Sequence, residues 1–252
     1  MNVMLAGGLV CMGAAMVSAA GFVLVSRLIP ERWLAADSDA ASALYATIGM
    51  VYAILIALAA IAVWEPRSAA AGSTEQEAAT LAEAYWVANG LEAPDKSNIQ
   101  NLIHGYLEEA STDEWENLAV HQEPGARAAE LFARLRRSAD TVDTTTDRAQ
   151  NAQQQLSSYL SQAASARLAR VGAAGEGMPD LLWWVLILGG LVSVGFLYLF
   201  GLETTFPNGL MMAIVGGMIA LMLFVLYQVE FPFSRAFAVG PEALESALAQ
   251  LH

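Results

Sequence analysis

The sequence predicts an all-α membrane protein: four transmembrane helices, with a helical domain inserted between the second and the third. Three observations predict it. Residues 1–26, 40–64, 181–202 and 204–229 contain no Asp, Glu, Lys or Arg, and each run is long enough for the roughly 20 helical residues that cross a hydrocarbon core. Between the second and third runs lies a polar stretch too long for a loop. Within it, apolar residues recur at intervals of three and four rather than two, the period of a helix face.

The second run, whose apolar heart is Leu44 to Trp64, organises the rest. Ala46, Gly49, Ala53, Ala57 and Ala60 recur at helical spacing and form a stripe of small side chains, where another backbone can pack closely. Thr47, Met50, Val51, Ile54, Leu58 and Ile61 fill another side of the same helix. They suit lipid, a neighbouring helix or the wall of a narrow pore, and spacing alone does not choose among these.

The first run is expected to be a retained helix rather than a secretory signal, because no Lys or Arg precedes it and it continues to Arg27 and Pro30. Its density of small residues, Gly7, Gly8, Gly13, Ala14, Ala15, Ala19, Ala20 and Gly21, favours close packing. Pro30 blocks a continuous helix into the next run, and Trp33 suits a membrane interface.

In the insert, Ser73 and Thr74, followed three residues later by Gln76 and Glu77, are overlapping capping boxes that predict a helix start. Leu81, Tyr85 and Ala88 would mark its apolar face. Further faces are expected at Ile99, Leu102, Ile103, Tyr106 and Leu107, around Trp115 and Leu118, at Leu131, Phe132 and Leu135, and from Ala152 through Leu156, Tyr159 and Leu160 to Ala163. Each is narrow, so these helices are expected to stack on one another and on copies in neighbouring subunits.

The third run begins at Trp183 and Trp184 and has Tyr198 near its far end, the pattern of interfacial aromatic belts. A short connection makes it an antiparallel hairpin with the fourth, where Ala213 with Gly217 and Gly216 with Ala220 place small residues four apart. Gly240 and Pro241 introduce a last amphipathic helix with Leu244, Leu248 and Leu251 on one side. The expected divisions are 1–64 and 180–230 for the two helix pairs, 65–179 for the inserted domain and 231–252 for an amphipathic tail.

Charge narrows the function. The chain is 56% hydrophobic and 15% charged with a formal net charge of -13, which argues against nucleic acid or anionic lipid as a main partner. The segment 65–180 holds 18 acids and 9 bases, a net charge of about -9; around a vestibule it would concentrate cations, although acidic faces also simply keep helices soluble. Arg67, Arg167, Arg170 and Arg235 against Arg27 and Arg32 place the insert and both termini in the cytoplasm by the positive-inside rule.

No catalytic, cofactor or metal site is expected. His104, His121 and His252 lack the spacing of helical metal ligands. The acids Glu108, Glu109, Asp113, Glu114 and Glu116 could draw a divalent cation, but without the EF-hand pattern they read as a solvated helix end. Cys11 stands alone, so there is no intrachain disulfide. No phosphate-cradling loop or nucleophile elbow occurs, and the four runs lack the ionisable groups of a proton relay. Uncharged rings can still line a channel.

Several stretches together resemble a bacterial membrane family described as bestrophin-like. They are Arg27, Leu28, Ile29 and Pro30; Tyr45, Gly49, Tyr52, Ala53 and Trp64; Glu77, Ala78 and Leu81; Tyr106; Glu114 with Trp115; and Arg167 with Leu168. Pro179, Trp183, Tyr198, Phe200, Gly201, Leu210 and Met211, with the exit Pro232, Phe233 and Ser234, complete the match. The resemblance implies a homo-pentamer of four-span subunits in the bacterial inner membrane, a helical cytoplasmic region between spans two and three, and an axial ion pore lined by the second span. By the same analogy Thr47, Met50, Val51 and Ile54 are pore candidates, while Ala46, Gly49, Ala53 and Ala57 remain the packing stripe. No run of acids follows the fourth span, so a calcium clasp is not carried over, and bulky aromatic neck residues are absent. The expected function is a cation-leaning ion channel with lipid and inorganic ions as partners; the alternative is a non-conducting scaffold or sensor that binds a protein through its helices.

Overall fold

The computed structural model describes residues 3–28, 38–200 and 202–251. Among these the regular structure is helical: α1 (Val3–Leu28), α2 (Ser38–Val87), a 3-10 turn (Ala88–Gly90), α3 (Asp95–Ser111), α4 (Asp113–His121), α5 (Ala126–Asp140), α6 (Asp147–Ala173), α7 (Asp180–Tyr198), α8 (Phe206–Val229) and α9 (Glu242–Gln250). Four of them, in α1, α2, α7 and α8, are long and apolar enough to cross a membrane. Ile29, Pro30, Arg32, Trp33, Gly201 and His252, which carried expectations above, lie outside the described residues.

The chain divides into two compact units, Met1–Trp64 with Met178–Glu230, and Glu65–Gly177 with Phe231–His252. In the first, α8 packs chiefly along α1, and less on α7, the partner expected from the hairpin. Small residues permit it. A Cβ at Gly216 would stand 2.5 Å from Ser18 Cβ, and one at Gly7 would stand 2.9 Å from the Phe224 ring. Ser18 Oγ donates to Met212 O at 2.7 Å, and Tyr198 Oη donates to Ser18 O at 2.8 Å, so one serine ties three helices. Tyr198 is therefore a packing residue rather than only an interfacial one. Gly8 and Gly13, in contrast, meet nothing within 4 Å.

The second unit is built from the faces the periodicity predicts. Ile99, Ile103, Tyr106 and Leu107 of α3, Leu118 of α4, Phe132 and Leu135 of α5, and Leu156, Leu160 and Ala163 of α6 are buried in one core. Residues 231–252, set apart in the sequence as a tail, belong to the same unit, and Leu244, Ala247 and Leu251 are buried in its core. Thr146 caps α6, its side chain accepting from Ala149 N at 3.2 Å.

One expectation is overturned. Ser73 and Thr74 do not begin a helix; α2 runs unbroken for 50 residues through Pro66. Their hydroxyls donate back to Ala70 O at 3.0 and 2.7 Å, so they satisfy a helical carbonyl instead of capping free N–H groups. The reason lies in the buried register: Ala70, Thr74, Glu77, Leu81, Ala84 and Ala88 are all buried. That packing outweighs the local capping signal and the single hydrogen bond Pro66 removes.

Candidate functional site

The unbroken course of α2 gives one helix two chemically different halves. In the first unit it packs through Tyr52, Leu55, Ile56, Ala59 and Val63. The Tyr52 ring lies against Gly189 and Gly190, where an added Cβ would fall 2.8 and 2.9 Å from its atoms, and its hydroxyl donates to Leu186 O at 3.1 Å. The predicted pore residues are elsewhere on the helix: Thr47, Met50, Val51 and Ile54 are exposed. So are Ala46, Ala53 and Ala57, with Gly49 half-buried and open space around it. Three of the four stripe residues are thus exposed on the single chain, and the fourth has room for a side chain.

In the second unit the exposed side of α2 carries Glu65, Gly72, Glu75, Gln76, Ala79, Glu83 and Trp86. The exposed side of α2 is thus uncharged in the first unit and acidic in the second.

The opposite register of α2 holds a buried charge network. Glu77 of α2, Glu114 of α4 and Arg170 of α6 have no solvent exposure at all. Arg170 Nε donates to Glu77 Oε2 at 2.7 Å, and its Nη2 donates to Glu77 Oε1 at 3.3 Å and to Glu114 Oε2 at 2.7 Å. Arg167 Nη2 donates to Glu114 Oε1, and the Tyr106 hydroxyl to Glu77 Oε1. Two arginines balance two carboxylates, Arg167 half-buried at the edge and the other three fully enclosed, which is what makes that burial tolerable. Arg167 Nε and Arg170 Nη1 are buried without a hydrogen-bond partner; the Arg170 guanidinium lies 5.6 Å from the Trp115 ring centroid, within cation–π range.

Burial opposes the Arg170 charge, but the charge of Glu77 and its hydrogen bond outweigh that and hold the guanidinium above its ordinary pKa. Burial, reinforced by the Glu77 charge, pushes Tyr106 well above the usual 10.0. The folded state therefore keeps its phenol proton at a pH where the unfolded chain loses it, and stability falls as pH rises above about 10. Unfolding titrations between pH 8 and 11 are expected to show this alkaline decline, and Tyr106→Phe to flatten it while costing about 1–3 kcal/mol through the donor lost from Glu77.

The acids expected as a solvated helix end divide. Glu114 is in the network, and Glu109 pairs with Arg127 at 3.1 Å, while Glu108, Asp113 and Glu116 are exposed. His104 and His121 are exposed as well. Arg170 is a network member rather than a free juxtamembrane charge. Its signal was present in the sequence, because it falls in register with Ala163, Ala166 and Ala173, as Glu77 does with Ala70, Leu81 and Ala84. A charge in an apolar register needs a buried partner.

Glu77, Tyr106, Glu114, Trp115 and Arg167, scattered residues that carried the resemblance, thus meet in one place. A family model described as a Bestrophin-like domain matches residues 12–244. Comparison with curated proteins gives no match, and comparison with solved structures gives none.

Proposed function

The chain belongs to the bestrophin-like family, which points to a channel-like membrane protein, and from that premise we propose a homo-pentameric ion channel whose axial pore is lined by α2 and favours cations. It sits in the bacterial inner membrane with its termini and second unit in the cytoplasm. Thr47, Met50, Val51 and Ile54 line the transmembrane part of the path, and Ala46, Gly49, Ala53 and Ala57 pack against neighbouring subunits.

One observation carries this reading: the exposed side of α2 is uncharged in the first unit and bears Glu65, Glu75 and Glu83 in the second. Copies of such a helix around an axis would form an uncharged neck followed by carboxylate rings. The rings would raise the local concentration of cations and repel anions.

Purified protein in liposomes is expected to pass potassium and to give reversal potentials on the cation side. Neutralising the carboxylates together, Glu65→Gln, Glu75→Gln and Glu83→Gln, should lower the cation-to-anion permeability ratio by on the order of tenfold, most strongly at low salt. Absence of flux at every voltage, pH and calcium concentration would remove the channel and leave the scaffold. Anion-selective reversal potentials would reject the cation preference alone.

A further inference from the structure

Residues 231–239, which precede α9, form no regular element yet touch three parts of the second unit. The Phe231 ring fills the space beside Gly177, where an added Cβ would come within 2.7 Å of it. Phe233 is buried, its ring centroid 5.0 Å from that of Trp115 in an edge-on contact. Ser234 Oγ donates to Ala119 O of α4 at 2.6 Å. Phe237 O accepts from Arg67 Nε of α2 at 2.7 Å. The segment is itself folded back, with Val239 N donating to Pro232 O at 2.7 Å.

We propose that residues 231–239 are a strap that locks the part of α2 between Arg67 and Glu77. The strap holds this part of α2 at two points. One is direct, from the Phe237 carbonyl to Arg67. The other runs through side chains: Phe233 backs Trp115, Trp115 faces the Arg170 guanidinium, and Arg170 holds Glu77 by two hydrogen bonds. Arg67 and Glu77 are ten residues apart, nearly three turns, so two separated holds oppose rotation of the helix about its axis as well as sliding. Rotation matters because the opposite register of α2 presents Glu65, Glu75 and Glu83. Displacing the strap would withdraw Phe233 from Trp115 and the carbonyl from Arg67 in one movement, releasing the direct hold and removing the backing of the other.

The holding role rests on contacts within the second unit; its consequence for conduction rests on the channel reading above. Two measurements keep them apart. In hydrogen exchange on the full-length protein in detergent, Ser234→Ala and Phe233→Leu are expected to speed exchange of α2 amides 67–81 by roughly tenfold while leaving α5 unchanged. Unaltered exchange over 67–81, or uniform acceleration throughout the second unit, would overturn the strap whether or not the protein conducts. In liposomes, Ser234→Ala should change open probability at an unchanged reversal potential. If the wild-type protein passes no ions, the channel reading falls and the exchange result still decides the strap. If it conducts and Ser234→Ala leaves open probability as it was, the strap does not control conduction.

Discussion

Arg170→Met is expected to destabilise the second unit by about 3–5 kcal/mol, the cost of leaving buried carboxylates without their partner. Arg170 is the only hydrogen-bonding cation that Glu77 has among the described residues, and it shares Glu114 with Arg167. Without it, Glu77 is left in an apolar core with only a phenol donor. Arg170→Lys should recover little, because an ammonium cannot reproduce the fork that reaches Glu77 by two nitrogens and Glu114 by one of the same two. Chemical unfolding followed by circular dichroism measures the loss. The informative comparison is the combined change Glu77→Leu and Arg170→Met, which removes one charge of each sign, leaves Glu114 with Arg167 and should cost much less than the sum of its parts. A merely local loss of packing would instead add up.

Gly216→Leu is expected to separate α8 from α1 and lower stability in detergent by about 1–3 kcal/mol through overpacking. The new Cβ would stand 2.5 Å from Ser18 Cβ, 2.8 Å from Ser18 Oγ and 3.4 Å from Ala14 O, so the side chain alone cannot yield enough. Moving Ser18 also strains its bond to Met212 O and the one it accepts from Tyr198, which couples the effect to α7. Gly195→Ala is the control, since a Cβ there meets nothing within 4 Å and alanine favours the helix by about 1 kcal/mol over glycine. Thermal unfolding of the two variants should therefore move in opposite directions.

The helices were legible from the sequence because their signals are local and repeated. Four runs without charge, and apolar residues at intervals of three and four in the insert, place α1, α3 through α8 and the Leu244 face of α9 near where they are observed. The start at Ser73 was misread for the same reason: a capping box is a four-residue signal, and it competes with a buried register that extends from Ala70 to Ala88. Register is a property of the whole helix, so no short window contains it. The Tyr198 hydroxyl likewise reads as interfacial until Ser18, 180 positions away, is found beneath it.

By itself the sequence determined what each segment could be: which stretches are apolar enough for a bilayer, which face of each helix seeks a core, and that the chain carries an excess of acid. Those properties follow from composition and spacing, which involve neighbours along the chain. Tertiary structure decided which charges are used and which are left over. Glu77, Glu114, Arg167 and Arg170 come from three helices and become a neutral, largely buried group only because folding brings them within hydrogen-bond reach. Glu65, Glu75 and Glu83 remain exposed because the register of α2 that packing consumes is the other one. A carboxylate is chemically the same at either place; the low dielectric and the guanidinium beside it make one structural, and open solvent leaves the other free to attract an ion.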